Sequence, residues 1–148
     1  MLEILGIVLL GLVLGVVSVV LIGILRIRRM RSSHRARLAR LDPVHSSAAA
    51  LFGLASDGAR QARGVGTLAA STSQLVFVQL VPDREVVVER EHITSVQRSR
   101  QFMGSTASRD LVVVTWETNG VGDAVALTTD DLEVWLDLLS RDLGTPSV

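Results

Sequence analysis

Hydrophobic and polar positions divide the chain into three parts. Residues 4–25 contain no charged residue, and seventeen of these 22 positions are Leu, Ile or Val. The next fifteen residues, 26–40, contain seven arginines and no acid. From residue 44 onwards, short apolar runs alternate with turn residues, and the chain then ends in a segment with helical spacing. The pattern predicts an apolar helix, a basic segment and a folded domain.

The apolar run has the length of a transmembrane helix. Its 22 residues would form a helix about 33 Å long, enough to cross a hydrocarbon core of about 30 Å. A buried helix of a soluble protein rarely has so long an apolar run. A cleaved signal peptide would carry positive charge before the apolar core, whereas here Glu3 precedes it and arginines follow. We therefore predict an uncleaved single-pass anchor over residues 1–26.

The arginines that follow the anchor determine its predicted orientation. They are Arg26, Arg28, Arg29, Arg31, Arg35, Arg37 and Arg40. By the positive-inside rule, the N-terminus lies outside the cell membrane and the C-terminal domain is cytoplasmic. Apolar residues recur at intervals of three and four in this segment, so we expect a basic juxtamembrane helix over residues 27–43 that ends at Pro43. These arginines either set topology alone or also bind anionic lipid.

Two glycines in the apolar run have the spacing of a helix-packing motif. Gly11 and Gly15 form a G-x-x-x-G pair, which allows two helix backbones to approach closely. The motif predicts a homodimer face, although the same spacing also arises by chance in glycine-containing apolar runs.

The domain from residue 44 to 148 has the pattern of a β protein. Val-, Leu-, Ile- and Thr-rich runs are bounded by Gly, Asn, Asp or Pro, which is typical of strands. The seven predicted strands cover residues 49–56, 64–70, 74–80, 84–89, 93–99, 111–118 and 124–128. The first of these is also compatible with a short helix capped by Ser46 or Ser47. Asn119-Gly120 supplies the positive φ angles that a tight hairpin requires.

The C-terminal segment changes to a helical period. Asp130 and Glu133 have capping-box spacing at its start. An apolar face follows, made of Leu132, Trp135, Leu136, Leu139 and Leu143. A helix this apolar on one side must lie against another element, most simply the open end of a curved sheet.

The order of elements resembles a known family. Gly66-Thr67-Leu68 followed by Leu75-Val76-Phe77 forms one strand pair, and residues 111–114, then 124–127, then Trp135 form a last hairpin and helix. These segments resemble bacterial PH-like domains, related to GRAM and pleckstrin-homology domains. The resemblance implies a mainly β fold, a bent seven-stranded antiparallel barrel capped by the C-terminal helix with Trp135 in its core.

The charge of the domain limits its expected partners. Residues 41–148 contain eight arginines against fourteen acids, a net charge of −6, so nucleic-acid binding is not expected. In the resembled family, the loop between the first two strands binds phosphoinositides through Lys and Arg. The same loop here offers only Arg60 and Arg63, and Asp57 lies beside them.

The segment of residues 97–110 combines arginines with apolar residues. Arg98, Arg100 and Arg109 flank Phe102 and Met103. One interpretation is a polar loop whose exposed apolar tip docks on a protein or a membrane. The alternative is a long hairpin whose Phe102 folds back on the core.

The remaining residues predict no enzyme. The three histidines lack metal-ligand spacing, the chain has no cysteine, and no serine lies in a nucleophile motif. We therefore predict no catalytic residue, no metal and no cofactor. The expected function is a membrane-anchored interaction domain for a protein partner, with anionic-lipid sensing as the alternative.

Overall fold

A computed structural model describes residues 13–25 and 36–143. The chain divides into two compact units, Met1–Arg37 and Leu38–Val148.

The first unit contains a helix over residues 13–25, and every one of these residues is exposed. Among the described residues, none of the helices combines the length and the apolar content that a membrane crossing requires. Residues 1–12 of the predicted anchor, including Gly11, lie outside the described residues. Five arginines of the basic segment also lie outside them, namely Arg26, Arg28, Arg29, Arg31 and Arg35. Residues 36–40, which include Arg37 and Arg40, are helical.

The second unit is mainly β, as predicted. Its strands are β1 (His45–Leu54), β2 (Gly64–Ala70), β3 (Gln74–Gln79), β4 (Arg84–Glu89), β5 (Ile93–Phe102), β6 (Ser105–Thr118) and β7 (Val121–Thr129). They form one antiparallel sheet in the order β4-β3-β2-β1-β7-β6-β5. Two short 3-10 helices, Ala55–Asp57 and Arg90–His92, follow β1 and β4, and one α-helix, Leu132–Leu143, follows β7. The segment after Ser46 is therefore a strand, and the alternative of a short helix there is wrong.

The main core lies on one face of this sheet and includes side chains from all seven strands and the C-terminal helix. A single cluster touches every strand only if the sheet curves around it, which agrees with a barrel-like fold. Trp135 is fully buried in this core, and its indole N–H donates a hydrogen bond of 2.8 Å to Ser47 Oγ. Trp135 is therefore a core residue, as the family resemblance implied.

The start of the C-terminal helix differs from the predicted capping box. Thr129 Oγ1 accepts a hydrogen bond of 3.3 Å from the backbone N–H of Asp131. A threonine side chain therefore satisfies a backbone donor at the start of the helix. The carboxylates of Asp130 and Glu133 instead bind arginines of the β5–β6 hairpin.

Of the two interpretations of residues 97–110, the long hairpin is correct. β5 continues to Phe102 and β6 begins at Ser105, so the segment is a long hairpin. Met103 and Gly104 form its turn, with φ angles of 49° and 76°. A second apolar cluster, on the sheet face opposite to the main core, buries Phe102. We call this opposite face the outer face.

Candidate interaction surfaces

The predicted interaction residues lie on two segments of the domain. Arg60 and Arg63 belong to the connection between β1 and β2, which starts where β1 ends at Leu54. Arg98, Arg100 and Arg109 lie on the β5–β6 hairpin, and all three are exposed. The two segments approach each other at Gly53, where a Cβ would meet Gln61 of the connection and Phe102 of the hairpin.

Two of the hairpin arginines meet at one carboxylate. Arg100 Nε donates a hydrogen bond of 2.7 Å to Asp110 Oδ1, and Arg98 lies 3.9 Å from the other oxygen of Asp110. Arg98 also donates to Glu133 on the C-terminal helix. The hydrogen bond from Arg100 lowers the pKa of Asp110, because it favours the charged carboxylate. Two acids thus offset the two cations.

The third hairpin arginine is also paired. Arg109 donates a hydrogen bond of 2.6 Å to Asp130, the residue that follows β7. Both residues border a groove of about 190 Å³ on the outer face, whose lining includes Ala48, Ala50 and Val65. The charged rim of this groove carries one cation and one anion. It lacks the excess of positive charge that an anionic headgroup requires.

The apolar tip of the hairpin presents one of its two apolar residues to solvent. Phe102 is 9% exposed and packs in the outer cluster, whereas Met103 in the turn is 56% exposed. The alternative in which Phe102 folds back is therefore correct, although it packs on the outer face and not in the main core. Met103 remains the exposed apolar residue of this tip.

The connection between β1 and β2 carries two exposed arginines, Arg60 and Arg63. The guanidinium carbon of Arg63 lies 4.4 Å from the ring centroid of Phe52, within the range of a cation–π contact. Arg63 thus covers an aromatic residue of the outer cluster and is held over β1.

A bidentate ion pair closes this connection. The two terminal nitrogens of Arg84, at the start of β4, donate hydrogen bonds of 2.5 and 2.6 Å to the two oxygens of Asp57. The side chains of Arg84 and Asp57 are 26% and 17% exposed, so both lie largely out of solvent. The hydrogen bonds lower the pKa of Asp57 and raise the pKa of Arg84. Asp57 therefore fastens the loop to the sheet through a partner that sequence reasoning missed.

Two glutamines complete the closure, and sequence reasoning missed both. Gln61 Oε1 accepts a hydrogen bond of 2.7 Å from the Leu54 N–H, and its amide nitrogen donates to the Leu54 carbonyl at 3.1 Å. Gln79 is fully buried and donates to the Val81 carbonyl at 3.0 Å. A side chain on Gly64 would place Cβ 2.3 Å from the Gln79 amide nitrogen. The glycines within β2 were the sequence signal for this contact, because a glycine in a strand often marks a close approach of another part of the chain.

The two described histidines each lie near one carboxylate. His45 Nε2 lies 3.6 Å from Asp131 Oδ2, and His92 Nε2 lies 3.8 Å from Glu91 Oε1. His34 lies outside the described residues. Within residues 13–25 and 36–143, His, Asp and Glu form no group of three that could hold a metal ion.

The Asp57–Arg84 pair predicts a pH-dependent contribution to stability. We expect Asp57→Asn to lower the free energy of unfolding by about 1–2 kcal/mol at neutral pH, because hydrogen bonds to a charged group are lost. The pKa of Asp57 is depressed in the folded protein, so the contribution is complete above the unfolded pKa of about 3.9 and is lost as pH falls through the folded pKa. Chemical denaturation of both proteins between about pH 7 and pH 2.5 measures the difference.

Asp137→Asn is the matched control for this prediction. Asp137 pairs with Arg141 one helical turn away, and the two side chains are 64% and 71% exposed. This substitution should cost no more than about 0.5 kcal/mol at any of these pH values. Equal losses for the two variants, or a loss for Asp57→Asn that does not shrink in acid, would contradict the assignment.

Comparison of the sequence with models of known protein families and with curated proteins gave no match.

Proposed function

We propose that this chain is a single-pass membrane protein that presents a PH-like interaction domain to the cytoplasm and binds a protein partner there. The observation that carries the proposal is the pairing of Arg98, Arg100 and Arg109 with carboxylates of the same domain. Arginines already bound to acids make a mixed surface of both signs, which suits complementary charges on another protein.

The same pairing argues against anionic lipid as the main ligand of the domain. A headgroup that recruits Arg100 or Arg109 must displace Asp110 or Asp130, and it leaves a carboxylate beside the lipid phosphate. The domain also carries a net charge of −6 over residues 41–148. An anionic leaflet repels such a domain beyond the immediate contact.

The membrane anchor in this proposal is supported by the sequence and by local structure. Residues 4–25 contain no charge and residues 26–40 contain seven arginines. The described part of this run, residues 13–25, is helical. Gly15, with Val16, Val19 and Val20, borders an apolar groove on this helix. This groove is the described part of the homodimer face that we propose for Gly11 and Gly15.

Anionic-lipid sensing is the second candidate, and the loop arginines favour it. Arg60 is exposed and Arg63 contacts the Phe52 ring. A headgroup contact there would leave the Asp57–Arg84 pair intact. In this candidate, Arg60 and Arg63 act together with the basic juxtamembrane segment, and a lipid replaces the protein partner.

Photo-crosslinking of the full chain in native membranes distinguishes the two candidates. Val121 is 70% exposed on the domain, and Val17 is 55% exposed on the helix. With a photoreactive residue at Val121, we expect a protein adduct of one defined mass, because a specific partner covers a fixed surface. Val17 lies two positions after Gly15, about 200° around the helix and so away from the proposed dimer face. The photoreactive residue at Val17 should therefore give lipid adducts, as a control for membrane insertion.

Two results would contradict the leading proposal. Lipid adducts alone at Val121, lost in the double variant Arg60→Ala/Arg63→Ala, would show lipid sensing. Protein adducts at Val17 in place of lipid would place the helix outside the bilayer.

A further inference from the structure

The end of the β5–β6 hairpin extends beyond the part of β6 that pairs with β7. Residues 100–110, which we call the strap, pair only with each other among the described residues. The pairing of β6 with β7 begins at Val112, opposite Leu127. Ser99 Oγ accepts a hydrogen bond of 3.0 Å from the Gln101 N–H at an irregularity in the pairing of β5, and this irregularity marks the base of the strap. The strap can therefore leave the domain without breaking a ladder hydrogen bond to β7.

The strap is folded against the outer face by Phe102, and Ala107 is the smaller strap side chain in the same outer cluster. Phe102 is 9% exposed and packs with Val113 and Ala126, which are 5% and 0% exposed. The ring lies against Gly53. A Cβ at this position would lie 3.1 Å from Phe102 Cδ1, which is a tight contact. Gly53 also lies at an irregularity in the pairing of β1 with β7. The absence of a side chain at Gly53 therefore leaves room for the ring.

This outer cluster is separate from the main core. Residues alternate along β6, so Val113 belongs to the outer cluster whereas Val112 and Val114 belong to the main core. The sheet lies between the two clusters. Loss of the strap would expose Val113 and Ala126 but leave the side chains that hold the seven strands together in place.

The polar contacts of the strap lie within it, are long or are exposed. At its base, Arg98 lies 3.9 Å from Asp110. Arg100 and Asp110, which form an ion pair, are both strap residues. The pair of Arg109 with Asp130 connects the strap to the domain, and its side chains are 58% and 88% exposed. Such an exposed pair adds little to stability. The apolar contact of Phe102 is therefore the main attachment of the strap.

We propose that the strap opens as a unit while the seven-stranded sheet stays intact, and that Phe102 is the latch that holds it closed. The closed strap shields an apolar part of the outer face, and the open strap exposes it. This device goes beyond the proposed function, and it does not depend on the identity of any partner.

Cysteine labelling of the full chain in detergent micelles tests the proposal. The chain has no cysteine, so each introduced thiol is the only one. Val113→Cys places the thiol under the strap, and Val114→Cys places it in the main core, on the same strand. With excess N-ethylmaleimide, we expect Val113→Cys to react at least about ten-fold faster, because strap opening requires less than global unfolding.

The latch is tested by adding Phe102→Ala to each cysteine variant. We expect about a ten-fold or greater increase in the labelling rate at position 113, because the burial of the Phe ring favours the closed strap. The rate at position 114 should rise by a similar factor, because the burial of Phe102 is lost on global unfolding as well. Trp135→Phe, a substitution in the main core, separates the two events. It should accelerate position 114 about five-fold and leave position 113 within about two-fold, because the strap opens while the main core stays intact. Phe102→Leu keeps most of the apolar contact and should change the position 113 rate much less.

Three outcomes would overturn the proposal. The two cysteines react at equal rates, Trp135→Phe accelerates both equally, or Phe102→Ala changes neither. None of these bears on the crosslinking result at Val121, so failure of the strap and failure of the proposed partner remain distinguishable.

Discussion

Replacing Trp135 by alanine should lower the free energy of unfolding by about 3–5 kcal/mol, the range for removal of a large aromatic side chain from a core. The indole is 0% exposed and joins the C-terminal helix to the main core. Its N–H donates to Ser47 Oγ at 2.8 Å, and its ring centroid lies 4.9 Å from that of His45. One side chain therefore connects the helix with β1 through apolar contact and a hydrogen bond.

Chemical denaturation of the full chain in detergent, followed by far-ultraviolet circular dichroism, measures this loss. The matched control is Trp116→Ala, because Trp116 is partly buried and only packs against the core from β6. Its loss should be smaller, about 1–2 kcal/mol, since less apolar area is removed from the core there. Equal losses would show that Trp135 is not the main contact of the helix.

Trp135→Phe separates the two contributions of the indole. An aromatic ring is kept, and the donor to Ser47 is removed. We expect a loss of about 1 kcal/mol for the hydrogen bond, plus a smaller one for the reduced volume. The remainder of the alanine effect then reports the packing of the helix.

Elements with a local signal were predicted well from the sequence. β2 and β4 have the predicted bounds, 64–70 and 84–89. Asn119 and Gly120 have φ angles of 53° and 77°, as a tight hairpin between β6 and β7 requires. In each case the residues that determine the conformation are adjacent in the chain. The helical period from residue 132 is local in the same way.

The end of the β5–β6 hairpin has no such local signal, so the sequence was compatible with a loop and with a hairpin. Residues 97–110 are mostly polar, because the strap buries only Phe102 and Ala107 and leaves most other side chains in solvent. An alternating pattern appears only where one whole face of a strand is buried. The turn also differs from the usual Asn-Gly, since Met103 takes a positive φ position. The segment therefore has the composition of a loop.

The ion pairs depend on contacts between distant parts of the chain. Asp57 and Arg84 are 27 positions apart, and Arg98 and Glu133 are 35 positions apart. Counts of charge predict that arginines are available, but only the folded sheet shows which of them already bind a carboxylate. The pairing of Arg98, Arg100 and Arg109 with carboxylates was therefore not predictable from the sequence.

Gly66 should tolerate no side chain, and this is the second large effect that we expect. The glycine lies in β2, between Ala49 of β1 and Gln79 of β3. A Cβ would lie 2.1 Å from the Val78 carbonyl oxygen and 2.8 Å from its carbonyl carbon. Both atoms are backbone and belong to the neighbouring strand, so the clash is relieved only by moving that strand. We expect Gly66→Ala to cost about 3 kcal/mol, at the upper end for overpacking.

Gly122→Ala is the control for this second effect, because it makes the same change in another strand. Its Cβ would meet only the Trp116 carbonyl oxygen, at 3.9 Å, which is an ordinary contact. The loss of glycine's freedom in the unfolded chain should make this variant neutral or more stable by about 0.5 kcal/mol. Chemical denaturation measures the free energy of unfolding of both variants. A Gly66→Ala protein as stable as Gly122→Ala would contradict the close approach of β2 and β3.

The same substitution should also loosen the connection between β1 and β2. Gln79 follows Val78 in β3, and its amide nitrogen donates to the carbonyls of Arg63 and Val81 beside that connection. A shift of β3 away from Gly66 moves the Gln79 side chain with it, so these hydrogen bonds lengthen. The absence of a side chain at Gly66 therefore determines both the spacing of the sheet and the closure of the loop end.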